Sequence, residues 1–152
     1  MGFDLNGCKP KSEKGEYFRN NVWWWYPLWS YVAHNCDDIL APDQVKGGNY
    51  NDGVEIHAWQ AQLIADRLYK LLGDGEPKEI ENEVRARYEK LPEGQCKTCE
   101  GTGLLGKDLS TCLACKGTGK RREVSSDWYP FSEENVREFA DFCSQSGGFT
   151  IW

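Results

Sequence analysis

Apolar and polar positions along the chain alternate in patterns that predict short strands and amphipathic helices. "MGFDL" alternates as a short strand does, and the turn-rich, locally basic "NGCKPKSEKGE" follows it. The run "NNVWWWYPLWSYV", residues 20–32, holds four tryptophans and two tyrosines. It fits two patterns. As a strand it sends Val22, Trp24 and Tyr26 to one side and Trp23 and Trp25 to the other. As a helix it gathers Trp25, Leu28, Trp29 and Val32 into one buried stripe, and Pro27 sits where a helix would begin.

Residues 37–53 read as irregular connection, and the clearest helix is "VEIHAWQAQLIADRLYKLLGDG". Its expected stripe is Ile56, Leu63, Arg67 with Leu68, and Leu71, with Asp52 at its N-terminus and Gly73 closing it. Another helix starts near Pro77, with Ile80, Val84 and Tyr88 four apart, and stops at "LPEG". The last helix has Ser132 as N-cap, Phe131 and Val136 spaced for a hydrophobic staple, and Val136, Phe139, Ala140 and Cys143 as its inner stripe. Gly147 and Gly148 end it, and "FTIW" is a strand placed to pair with "MGFDL". The fold class expected is α+β: about four helices and a small sheet joining the two chain ends, in a single domain, 1–152, with an inserted hairpin at 94–123.

Length and composition fit that picture. A chain of 152 residues, 39% hydrophobic and 28% charged, can bury one sizeable core and is not a disordered chain. No stretch approaches the roughly 18 consecutive apolar residues a membrane span needs, and the first residues lack the apolar run of a secretory signal, so the expected location is the cytoplasm. A net charge of −6 repels phosphate and favours partners with a basic surface.

The seven cysteines are not spaced as a disulfide framework. Cys96, Cys99, Cys112 and Cys115 form "CKTC" and "CLAC", two turns that each present two thiolates and can close a tetrahedron around one structural zinc. Both turns continue alike, "CKTCEGTG" and "CLACKGTG", an internal repeat whose glycines let the backbone curl its N–H groups toward sulfur. With all four positions filled by thiolate, no site is left for a catalytic water. The repeat resembles the cysteine-rich region of DnaJ-type co-chaperones, which carries four such copies building two zinc sites. Two copies occur here and the J-domain tripeptide His-Pro-Asp is absent, so the resemblance covers residues 96–119 and implies zinc ligation alone.

Across the whole chain, "SEKGEYFRNNVWWWYPLW", "NDG", the repeat, "YPFSEENVREF" and "GGFTIW" together look like a family of small uncharacterised proteins from bacteria and their phages. That resemblance implies a mobile-element accessory protein with host or defence machinery as its target, and it brings no catalytic residue. The leading expectation is a non-catalytic adaptor or inhibitor that contacts a host or defence protein through exposed members of Trp23, Trp24 and Trp25. A second is a nucleotide-like ligand oriented by Arg19, Asn20, Asn21 and Asp52 and stacked on Trp24 or Trp25. His57, one of two histidines, joins these ligand- or partner-binding candidates. A third is nucleic-acid binding by the hairpin, where Lys97, Lys107, Lys116, Lys120, Arg121 and Arg122 outnumber Glu100, Asp108 and Glu123, although four thiolates on one zinc nearly cancel that excess. His34, Cys36, Asp37 and Asp38 contain the arithmetic of a Cys–His–Asp site, but residues two apart on a helix diverge, and no catalytic residue is assigned.

Overall fold

In the computed structural model, residues 2–125 and 128–152 are described. Their strands and helices follow in the order β1 Gly2–Gly7, β2 Tyr17–Asn21, α1 Val22–Asn35, α2 Pro42–Gly47, β3 Val54–Ile56, α3 Ala58–Asp74, α4 Glu76–Glu89, β4 Glu93–Gln95, β5 Leu104–Leu105, β6 Ser110–Thr111, β7 Lys120–Arg122, α5 Glu133–Ser146 and β8 Phe149–Ile151. The class is α+β, as expected. Two compact units result: residues 1–83 with 129–152, and residues 84–128, which contain the expected hairpin. No helix among the described residues is long and apolar enough to cross a membrane.

The larger unit is built on an antiparallel sheet of order β2-β1-β8-β3. The two chain ends pair as the pattern implied, Leu5 opposite Ile151 and Gly7 opposite Phe149. Period-2 alternation gives the sheet one buried face, carrying Phe3, Leu5, Phe18, Ile56, Phe149 and Ile151.

Residues 22–26 adopt the helical alternative, and the helix begins five residues before Pro27. Asn21 sets that start, because its Oδ1 accepts the N–H groups of Trp23 and Trp24 at 3.0 and 3.3 Å. Pro27 therefore lies inside α1, where its missing N–H costs one backbone bond to the Trp23 carbonyl. "EYFRNN" contributes strand β2 and this cap instead of a loop. Trp25, Leu28, Trp29 and Val32 form the buried stripe. Phe3, Trp25 and Trp29 stack in succession, with ring centroids 5.3 and 5.4 Å apart.

Two buried indoles bring two N–H donors that need acceptors. Trp25 Nε1 donates to the Gly48 carbonyl at 2.7 Å and Trp29 Nε1 to the Val45 carbonyl at 3.0 Å. The stretch expected to be irregular thus contains α2, whose C-terminal carbonyls serve the indoles. A Cβ on Gly48 would lie 2.1 Å from the Trp29 ring, so only glycine lets this backbone come close enough.

The clearest helix is shorter than its apolar pattern. Val54 and Ile56 alternate and are β-branched, and they extend the sheet as β3 beside β8, so Asp52 precedes a strand and caps nothing. Helix α3 starts after His57 and ends at Gly75, φ +85°, two residues past Gly73. Its buried stripe is Ala61, Ile64, Ala65, Leu68 and Leu72, while Leu63 faces outward. The expected stripe was phased on Ile56, which is not in the helix; the two alanines allow α3 to pack closely along α5. That last helix follows expectation, with the Ser132 hydroxyl accepting the Asn135 N–H at 3.3 Å and Val136, Phe139, Ala140 and Cys143 buried.

One polar pair is enclosed by this core. Gln44 and Gln60 are buried and exchange amide hydrogen bonds of 2.9 and 2.6 Å. Each also accepts the N–H three residues before it, from Ala41 and His57 respectively, which starts its own helix. Their remaining amide hydrogens reach the carbonyls of Glu55 and Ile39, so both side chains are fully satisfied. Replacing Gln60 with alanine strands the Gln44 amide, the Ile39 carbonyl and the His57 N–H, and should cost about 3 kcal/mol. Urea denaturation of Gln60→Ala beside the exposed control Trp59→Ala, expected within about 0.5 kcal/mol of wild type, checks this.

Candidate metal centre

The smaller unit repeats one design twice. Strand β4 leads into the first knuckle, 96–103, and β5 leaves it; β6 leads into the second, 112–119, and β7 leaves it. The start of each copy pairs with the end of the other, β4 with β7 and β5 with β6. The same exchange ties the knuckles together, since Cys96 N–H donates to the Gly119 carbonyl at 2.9 Å and Cys112 N–H to the Gly103 carbonyl at 2.8 Å. The two CxxCxGTG copies are thus related by a local two-fold axis.

Within each knuckle the bonds follow from the sequence. The first cysteine's carbonyl accepts from Gly101 or Gly117 at 3.1 Å, closing the turn. Gly103 N–H then meets Cys99 Sγ at 3.2 Å, and Gly119 N–H meets Cys115 Sγ at 3.3 Å. A side chain at Gly103 or Gly119 would strike the carbonyl oxygen of Gly117 or Gly101 at 2.3 or 2.2 Å, and both residues have positive φ. The threonines of the repeat have a role that sequence reasoning missed. Thr102 Oγ1 donates to the Cys99 carbonyl at 2.7 Å and accepts the Leu104 N–H, and Thr118 does the same for Cys115 and Lys120. Their recurrence at one position in both copies was the available signal.

The four sulfurs, all buried, lie within 4.8 Å of one another, and Cys99 and Cys115 are 3.7 Å apart. A tetrahedron with metal–sulfur bonds of about 2.3 Å has edges of about 3.8 Å, so these residues could hold one metal ion. Burial works to raise the Cys96 thiol, but the N–H groups of Cys99 and Thr98 outweigh it and bring the group down to about 6, whereas burial pushes Cys112 up to about 11. Four thiolates gathered this closely repel one another, and a bound cation would supply the compensating attraction. No other apolar core exists in this unit among the described residues. The four cysteines form it, with Leu105 packed against them.

The remaining ligand- or partner-binding candidates all belong to the larger unit. Arg19 stands on the open face of the sheet, 3.5 Å from Asp4, which also accepts the Tyr17 hydroxyl. Asn20 donates to Asn135 Oδ1 at 2.8 Å, and Asn21 is the α1 cap. Trp23 is half exposed, Trp24 partly buried, and Trp25 is fully buried and faces no solvent. Asn51 donates to the Gly2 carbonyl, opposite Asn21, which brings the 49–53 loop and exposed Asp52 to the same end of the sheet. His57 lies exposed beyond β3, its Nδ1 3.5 Å from Glu55. The crevice beside Trp24, lined by Pro27, Pro130 and Phe131, has essentially no room even for a water molecule and cannot take a nucleotide. Cys36 is buried and pushed up to about 11, away from a nucleophile's range.

No family model matches the chain, and neither the curated proteins nor the solved structures contain a match to it.

The burial pattern predicts a thiol count that changes on metal removal. In folded, metal-loaded protein, Cys8 is the exposed cysteine and should react quickly with a thiol reagent. After chelation Cys96, Cys99, Cys112 and Cys115 should react as well, while Cys36 and Cys143, buried in the other unit's core, stay protected until denaturant is added. Mass spectrometry of alkylated peptides reads each site.

Proposed function

We propose that this chain is a zinc-stabilised accessory protein of a phage or other mobile element that binds a host or defence protein in the cytoplasm, as adaptor or inhibitor, without chemistry of its own. Zinc is the metal that a buried tetrahedron of four thiolates suits, and a site with every position filled by protein leaves no water to activate. Its contribution is then folding energy for a unit that has almost no apolar core.

The observation that carries the binding reading is the aromatic surface at the start of α1. Trp23 is 51% exposed, its ring centroid 5.7 Å from that of Tyr129, and Tyr26 meets Tyr129 edge-on at 5.8 Å. The Asn21 cap and the buried Trp25 below hold this group rigid, so little side-chain entropy is lost when a partner covers it. Of the polar residues a nucleotide would need, Arg19, Asn20 and Asn21 are engaged with Asp4, Asn135 and the helix cap, while Asp52 is exposed.

Metal analysis of freshly purified, reduced protein should give one equivalent of zinc. Affinity capture from the host should retain one stoichiometric partner with wild type, and Trp23→Ala, at a half-exposed position, should lower the yield by about tenfold at near-unchanged stability. Equal capture by both proteins would exclude the aromatic surface.

A further inference from the structure

A second surface on the larger unit is distinct from the Trp23 group and shares no residue with it. An open groove of roughly 630 Å³ runs between the 38–41 loop, α2 and the turn from β3 into α3. Its floor is apolar, Ile39 and Leu40, each almost completely buried. Its rim carries Asp38, Asp43 and Glu55, and on one side stands the indole of Trp59, 58% exposed, with Leu63 one turn further along α3 and also exposed.

The walls are stiff. The Gln44–Gln60 pair locks α2, α3 and the strand between them beneath the groove, so its shape is set before any ligand arrives.

Charge decides the occupant. No lysine or arginine is among the described residues lining the groove. Asp38 is held by Arg67 and Glu55 lies 3.5 Å from His57, which leaves Asp43 with no ion-pair partner among the described residues. The surrounding unit, residues 1–83 and 129–152, contains nine Lys and Arg against eighteen Asp and Glu, a net −9, whereas residues 84–128 contain nine against six. A phosphate polyanion is repelled by this field and a cationic chain is drawn in. An exposed indole flanked by carboxylates attracts an ammonium or guanidinium through both its π face and its neighbours, and the apolar floor takes an aliphatic side chain next to it.

We infer that the groove bounded by Asp43, Glu55 and Trp59 is a docking site for a lysine- or arginine-bearing, partly apolar segment of a protein partner. An aliphatic side chain sits over Ile39 and Leu40, and a cationic side chain lies across Trp59 toward Asp43 and Glu55. This surface adds to the Trp23 surface and does not depend on it.

The test uses the full, zinc-loaded chain and a short synthetic peptide of alternating lysine and leucine, with a glutamate–leucine peptide of equal length as counterpart. Titration followed by 1H–15N NMR should move the Trp59 indole signal and the side-chain amide signals of Gln44 and Gln60. Trp59→Ala should weaken the affinity by about tenfold. Asp43→Asn with Glu55→Gln should weaken it by about fivefold and flatten its salt dependence, and Trp23→Ala should leave it unchanged. The inference is overturned if the lysine–leucine peptide does not bind at millimolar concentration, if the glutamate–leucine peptide binds equally well, if the shifts fall elsewhere, or if Trp59→Ala has no effect. Failure here leaves the Trp23 capture result standing, and failure of that capture leaves these shifts standing.

Discussion

Burying Trp25 and Trp29 side by side imposes the constraint from which most of the larger unit follows. Two large rings contribute strongly to the core, but each brings a donor that water can no longer satisfy. The acceptors are the Gly48 and Val45 carbonyls at the end of α2, so that short helix is pinned over the rings. Pinning α2 brings Gln44 inward, and Gln44 can be buried only because Gln60 completes its amide. Gln60 in turn fixes where α3 begins, and α3 lies against α5. One packing decision is thus passed from α1 to α2 to α3 through hydrogen bonds that each had to be made.

The smaller unit rests on a different source of stability. Its described residues include no row of buried side chains to exclude water beyond the cysteines, and its shape is fixed by curled backbone, glycine contacts too close for any side chain, and four sulfurs gathered around one point. Duplicating one knuckle is an economical way to obtain that point, because a two-fold axis brings two pairs of thiolates together as a tetrahedron without further design.

Where the sequence could be read, local chemistry was decisive. The cysteine repeat, the Ser132 cap and the α5 stripe are each specified within a few residues, and the two terminal strands are each legible from their own alternation. What was missed depended on distant partners. Strand β3 looked like the first turn of a helix because Val54 and Ile56 are apolar in either geometry, and the need of β8 for a neighbour decides the matter. Helix α2 carries almost no apolar periodicity and exists to supply carbonyls to rings that lie far from it in sequence. Trp25 could not be told from Trp23 by type; an offset of two on a helix turns one inward and leaves the other half in water.

The position of β8 between β1 and β3 also orders events during synthesis. The chain leaves the ribosome at roughly 5–20 residues per second, and until residues 149–151 emerge, β1 has one open edge and β3 has no strand to pair with. Residues 84–128, with the four cysteines that could hold an ion, emerge earlier. The knuckles can therefore be complete while the sheet still waits for its central strand, and that waiting edge is the interval in which the nascent chain is most exposed to unwanted strand pairing.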